Sequence, residues 1–196
     1  MGKVSLIMLM TLPSNKPVQL DKQKSKVDII VYGGTAAGVM AAYTAKKMGK
    51  SVMLIEPGKH LGGMTSGGLG QTDIGNKYAI SGLSLDFYRR LGKHYGRFEQ
   101  WIFEPSVAKN HLQQYLDEAG IKVTYNKRII SAKKAGTQIT SIVLEDSQAP
   151  SASTNLSLEA SMYIDCTYEG DLMARAGVSY AVGREANAEF NETING

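Results

Sequence analysis

The chain has 196 residues, 43% of them hydrophobic, which is enough for one domain and a little more and excludes disorder throughout. Of its 22 basic and 18 acidic residues, Lys3, Lys16, Lys22, Lys24, Lys26 and Asp21 lie in the first 27 positions; 17 of each sign remain, so the net charge of +4 is a basic leader on a neutral body and argues against a nucleic-acid partner. A single cysteine, Cys166, excludes an internal disulfide, an iron–sulfur cluster and a closed thiolate zinc site.

After Lys3, Val4 to Leu12 is an apolar run interrupted by Ser5 and Thr11. It is far below the roughly 20 residues that span a bilayer, so no transmembrane segment is expected. It has the length of a signal-peptide core, but no small-x-small cleavage site follows cleanly. Residues 1–26 therefore read as a leader and polar linker: a disordered or misassigned start, or a degenerate export signal. As a signal it would place the protein in the periplasm; otherwise the cytoplasm is expected.

Val27 to Tyr32 is short, β-branched and mostly apolar, as a buried strand of a parallel sheet would be. Gly33-Gly34-Thr35-Ala36-Ala37-Gly38 follows at once. Val39 to Met48 then predicts a helix closed by Gly49, and Ser51 to Ile55 a second strand with Glu56 at its end. This is a βαβ unit with a dinucleotide fingerprint in its proper place. Gly33 permits the sharp turn and Gly38 close packing of helix on sheet. Amides at the helix start, aided by the helix dipole, would face a pyrophosphate. Glu56, 18 residues past Gly38, stands where an acid accepts hydrogen bonds from ribose hydroxyls. Thr35 occupies the middle glycine position, so its side chain must point away or its hydroxyl must replace part of the phosphate contact. A ribose 2′-phosphate beside Glu56 would cost roughly 4 kcal/mol per unit-charge pair at about 4 Å, which disfavours NADP and leaves FAD or NAD.

Pro57 to Gly70 packs six glycines into fourteen residues, where a simple NAD domain would return to a helix. Bare backbone here suits an extended ligand, such as the ribityl chain and isoalloxazine of FAD. Val31-Tyr32-Gly33-Gly34-Thr35-Ala36-Ala37-Gly38, Ile55-Glu56-Pro57 and His60-Leu61-Gly62-Gly63-Met64 together resemble the opening of a bacterial FAD-dependent oxidoreductase family. That family has the glutathione-reductase-like flavoprotein fold. Some members carry a xanthan lyase label, and it is distantly similar to a heterodisulfide reductase subunit. Members often carry threonine at the third fingerprint position. The resemblance implies that Gly33, Gly34, Thr35, Ala36, Ala37 and Gly38 hold the FAD pyrophosphate. It places the adenosine ribose on Glu56, and Leu61, Gly62, Gly63 and Met64 beside the flavin half.

Leu83, Phe87, Tyr88, Leu91 and Tyr95 recur at helical spacing, with Ser81 or Ser84 as cap and Gly96 as stop; these aromatics read as core. Pro105 opens a helix with Ala108, Leu112, Tyr115 and Ala119 on one face and Gly120 at its end. Trp101 and Phe103 read as packed against the preceding helix rather than as a carbohydrate platform. Ile121 to Tyr125 predicts a strand. Period-two runs then follow over 128–134 and 138–145 around Gly136, with a third strand over 155–160. Such an antiparallel meander interrupting a parallel sheet fits the resembled flavoproteins, which would place the backbone near Ile129 and Ile130 beside adenine.

Met162 to Asp171 reads as a buried strand, a turn, and a helix near Leu172 capped by Asp171. The segment resembles the family's return strand, which crosses near the FAD phosphates and adds Thr167 to the expected cofactor contacts. Cys166 reads as a small buried hydrophobe, not a redox thiol. His94 and His111 read as surface residues, while His60 precedes the glycine loop beside the expected flavin. No metal-ligand spacing and no G-x-S-x-G elbow is present.

The expected fold is α/β: a Rossmann-like FAD-binding domain over 27–182 with a parallel sheet and an inserted meander, incomplete at its carboxyl end. Residues 183–196 would open a truncated substrate domain. The expected function is FAD-dependent hydride transfer involving a small-molecule substrate, with no catalytic residue named. Two alternatives stand beside it: a non-catalytic split-gene fragment that binds nucleotide or needs a second polypeptide, and a plain NAD-binding module.

Overall fold

The computed structural model describes residues 26–194; the expected leader falls on residues 1–25, which with 195 and 196 lie outside the described residues. Strand β1 (Val27–Tyr32) runs through helix α1 (Ala36–Lys47) to strand β2 (Val52–Glu56). Helices α2 (Gly82–His94) and α3 (Pro105–Glu118) precede β3 (Val123–Tyr125). Then come β4 (Lys127–Ala135), β5 (Gln138–Asp146), β6 (Leu156–Leu158) and β7 (Ala160–Asp165), followed by the short helices α4 (Asp171–Arg175) and α5 (Asn187–Phe190).

β1, β2, β3 and β7 form one parallel sheet in the order β3-β2-β1-β7, and β4-β5-β6 form a separate antiparallel sheet. The chain builds outward from β1 to β3, leaves for the meander, and returns on the other side of β1. That reversal of direction creates the switch point at which α/β sheets bind ligands.

Alternation along the strands divides the core in two. Val31 and Leu54 pack with Val39 and Ala42 of α1 and Leu112 and Leu116 of α3. Ile30, Tyr32 and Ile55 turn the other way, onto Ile129, Ile142 and Leu144 of the meander and Leu172 of α4. Each fully buried valine, leucine or isoleucine among them contributes roughly 1.5–3 kcal/mol. The buried Tyr32 hydroxyl accepts the Ile129 amide at 2.8 Å, joining the two sheets through a polar contact as well.

Several boundaries differ from those expected. The third meander strand ends at Leu158, and Ala160 instead opens β7 by pairing with Val27 of β1. Helix α1 begins three residues early, at Ala36, because Thr35 caps it. Ser81 holds the cap position of α2, but its side chain makes no capping bond. Asp171 is the first residue of α4 rather than its cap; its amide donates to Thr167 Oγ1 at 3.0 Å. Trp101 stacks on Tyr88 with ring centroids 3.9 Å apart, and Phe103 is buried edge-on to Phe87, both as packing residues.

α2 and α3 are held by a polar clamp. Arg90 bonds Asp86 at 2.8 Å and Glu118 at 2.6 Å, and its guanidinium lies 3.9 Å above the Tyr115 ring. The Tyr115 hydroxyl also donates to Asp86.

Candidate functional site

The carboxyl ends of β1, β2 and β7 open into a cleft of about 620 Å³, within the roughly 300–1,000 Å³ of small-molecule sites. Gly33 and Thr35 form its floor, Glu56 and Pro57 one side, Met64 and Leu69 another, and Thr167 and Tyr168 the wall contributed by the return strand. It therefore gathers six of the expected contacts: Gly33, Thr35, Glu56, Gly63, Met64 and Thr167.

Gly33 adopts φ +104°, and a Cβ there would sit 2.7 Å from the Cys166 carbonyl carbon, so the turn out of β1 and the close approach of β7 both require glycine. A Cβ on Gly38 would stand 1.9 Å from the Gly33 carbonyl oxygen, which brings α1 tightly onto the strand it follows. Thr35 resolves the departure from the glycine pattern. Its hydroxyl accepts the Gly38 amide at 3.2 Å and donates to the Cys166 carbonyl at 2.8 Å. The side chain thus points inward as a helix cap and a tie to β7. Ala36 and Ala37, at the head of α1, have amides with no carbonyl of their own helix to bond, which is the donor arrangement a diphosphate needs. Lys46 and Lys47 at the other end stabilise the helix by meeting the negative pole of its dipole.

Glu56 closes the turn from the other side. One carboxylate oxygen accepts the Gly34 amide at 2.7 Å and the other the Gly58 amide at 2.7 Å. A carboxylate offers about four acceptor positions, so two remain free for ligand donors such as hydroxyls. Glu56, Glu169 and Asp171 are the charged residues lining the cleft. Phosphate charge there must be met by the α1 amides, and a further phosphate near the ribose would meet carboxylates.

The glycine loop docks by backbone. The Gly62 amide donates to the Gly34 carbonyl at 2.7 Å, and Leu61 turns its side chain into the core, fully buried. His60 Nε2 lies 2.8 Å from the Ser66 carbonyl and 2.9 Å from its hydroxyl, which itself donates to the Leu61 carbonyl. Both Ser66 atoms then act as acceptors, so His60 Nε2 carries the hydrogen and clips the loop shut. On the return strand, Asp165 accepts the Thr167 amide and hydroxyl at 3.0 and 2.7 Å and the Met173 amide at 2.9 Å.

Ile130 sits where β4 shifts register, outside the cleft lining. Cys166 is half-buried, and burial pushes its thiol up, away from the thiolate form. His94 is exposed and lies with His111 in a separate groove between α2 and α3. Tyr168 and Glu169, in the segment expected to cross near the phosphates but not named as contacts, also line the cleft; Tyr168 reaches it only because β7 returns beside β1. Among the described residues no group of three or more His, Cys, Asp and Glu could hold a metal, and no helix is long and apolar enough to cross a membrane.

Residues 28–195 match the model of the family described as FAD dependent oxidoreductase. No curated protein matches the chain. Among solved structures it is similar to a flavoprotein/dehydrogenase from Cytophaga hutchinsonii, with 20% identity, 82% of this chain and 44% of that one covered, and a TM-score of 0.59. It is also similar to L-proline dehydrogenase from P. horikoshii, with 13% identity, 83% and 59% covered, and a TM-score of 0.59. A geranylgeranyl bacteriochlorophyll reductase-like protein from Thermoplasma acidophilum gives 18% identity, 81% and 43% covered, and a TM-score of 0.57. At these identities the likeness is one of fold, and the chain spans about half the length of these structures.

Proposed function

The chain belongs to the FAD-dependent oxidoreductase family, and from that premise we propose that its cleft holds FAD stretched from Glu56 to Leu69, as the cofactor-binding part of an enzyme oxidising or reducing a small molecule. The observation that carries this reading is the junction of three elements at one corner: the head of α1, the doubly bonded carboxylate of Glu56, and the return of β7 at Cys166 and Thr167. FAD bound here supplies the chemistry, exchange of a hydride with the substrate.

The chain's own residues do the positioning. The Ala36 and Ala37 amides receive the diphosphate, and Glu56 receives the ribose hydroxyls while fixing the Gly34 and Gly58 turns. Gly63, Met64 and Leu69 would border the flavin half, on a loop held in place by His60 and Ser66. Thr167, fixed by Asp165, would contact the diphosphate from the return strand.

The test is a titration of the purified 196-residue chain with FAD, NAD and NADP, followed by visible absorbance and by dialysis. The expected result is a yellow protein that retains FAD and takes up neither nicotinamide dinucleotide. Uptake of NAD without FAD would replace this reading with that of a plain NAD module.

A further inference from the structure

Tyr168 lies immediately beyond β7, and its ring crosses the cleft to the glycine turn. Its hydroxyl oxygen accepts the Met64 amide at 2.7 Å. The contact with Gly63 is closer still: a Cβ there would stand 2.2 Å from the phenol oxygen and 3.0 Å from the carbon that bears it. Yet Tyr168 remains 56% exposed. It is thus tethered by its tip over bare backbone, with the rest of the ring open to the cleft. Beside it stand Met64, 55% exposed, and Leu69, 69% exposed, so this end of the cleft presents apolar surface to solvent. Exposed apolar surface gathered in a concave site is what a flat, apolar ligand group would cover.

The hydrogen-bond direction adds chemistry to the shape. Because the phenol oxygen accepts from Met64, its own proton is directed elsewhere, and among the described residues it has no acceptor. The position along the ligand is also defined. Glu56 and Pro57 mark the adenosine side, whereas Tyr168 bonds beyond Gly62, on the Met64 side.

We propose that Tyr168 contacts the redox half of the cofactor, its ring against the isoalloxazine and its hydroxyl donating a hydrogen bond within that half of the cleft. This rests on the reading that FAD lies with its flavin at Met64 and Leu69. Tyr168 is then a group through which the return strand senses the flavin, separate from the machinery that holds the diphosphate and ribose.

The test compares wild type, Tyr168→Phe and Tyr168→Trp, each titrated with FAD and with ADP, a probe of the adenosine half alone. Phenylalanine keeps the ring and loses the hydroxyl. The proposal expects the FAD dissociation constant of Tyr168→Phe to rise about fivefold, the effect of one neutral hydrogen bond, while that for ADP stays unchanged. It also expects bound-FAD fluorescence to rise in Tyr168→Phe and to fall again in Tyr168→Trp, since phenol and indole donate an electron to an excited flavin and benzene does not. ADP binding doubles as the control for folding. Equal weakening of FAD and ADP would reduce Tyr168 to a structural lock and overturn the proposal. So would FAD affinity and fluorescence that ignore the substitutions while FAD still binds. A wild-type chain that binds ADP but not FAD would remove the underlying reading and the proposal with it.

Discussion

The hydroxyl of Thr35 donates to the carbonyl of Cys166, 131 residues away in sequence, while accepting the amide of Gly38 one helical turn ahead. One side chain therefore caps α1, the helix proposed to receive the diphosphate, and ties down the strand that returns beside it. Replacing Thr35 with valine keeps the shape and removes both bonds. The expected loss is about 1–2 kcal/mol of stability, read by denaturant unfolding, with Thr35→Ser close to wild type.

In the proposed reading Glu56 holds the adenosine side. Glu56→Gln keeps the size but loses the charge and one of the two acceptors that hold Gly34 and Gly58. Hydrogen bonds to a charged group contribute about 1.5–3 kcal/mol, so FAD affinity should fall roughly 10- to 100-fold.

The sheets meet at Tyr32, and that contact titrates. Burial pushes its hydroxyl up to about 12, partly offset by the Ile129 amide and reinforced by Asp171, Asp165 and Glu56. The folded state thus favours the neutral phenol. Its contribution is complete below the ordinary value near 10 and is lost as pH rises from there through 12, in total roughly 2–3 kcal/mol. Unfolding free energies measured from pH 9 upward should fall, and Tyr32→Phe should fall less steeply.

Arg90 joins α2 to α3. Its hydrogen bond holds the Glu118 carboxyl below its ordinary value. Burial would raise Asp86, but hydrogen bonds from Tyr115 and Arg90 outweigh it and hold that carboxyl low as well. Both acids stabilise the fold above their unfolded values, and that stability is lost as pH falls through their folded ones. Arg90→Met should cost about 1 kcal/mol at neutral pH, since the clamp is partly solvated, and should flatten the decline seen on acidification.

How far the sequence carried these features depends on how local they are. β1 and β2 were legible because strands of a parallel sheet buried on both faces read as continuous apolar runs, and Glu56 because its spacing from Gly38 is fixed by one α1 crossover. The end of the meander was not: Leu156, Leu158 and Ala160 form one alternating pattern, and only pairing with Leu144 or with Val27 decides which sheet each joins. Thr35 posed two options in the sequence, pointing away or substituting for a phosphate contact; the side chain turns away, onto Cys166, a partner no local pattern reveals. Tyr168 was invisible for the same reason, since its neighbour Gly63 lies 105 positions away. The Asp171 cap was misread because Gly170 holds the cap position, while Thr167 and Asp165 accept the Asp171 and Met173 amides.

The central claim is met most directly by a crystal structure of the chain grown with FAD. The account predicts difference density for a diphosphate within hydrogen-bond distance of the Ala36 and Ala37 amides, a ribose on Glu56, and the flavin along Met64 and Leu69. A nucleotide bound the other way round, or an empty corner with FAD seated elsewhere, would contradict it.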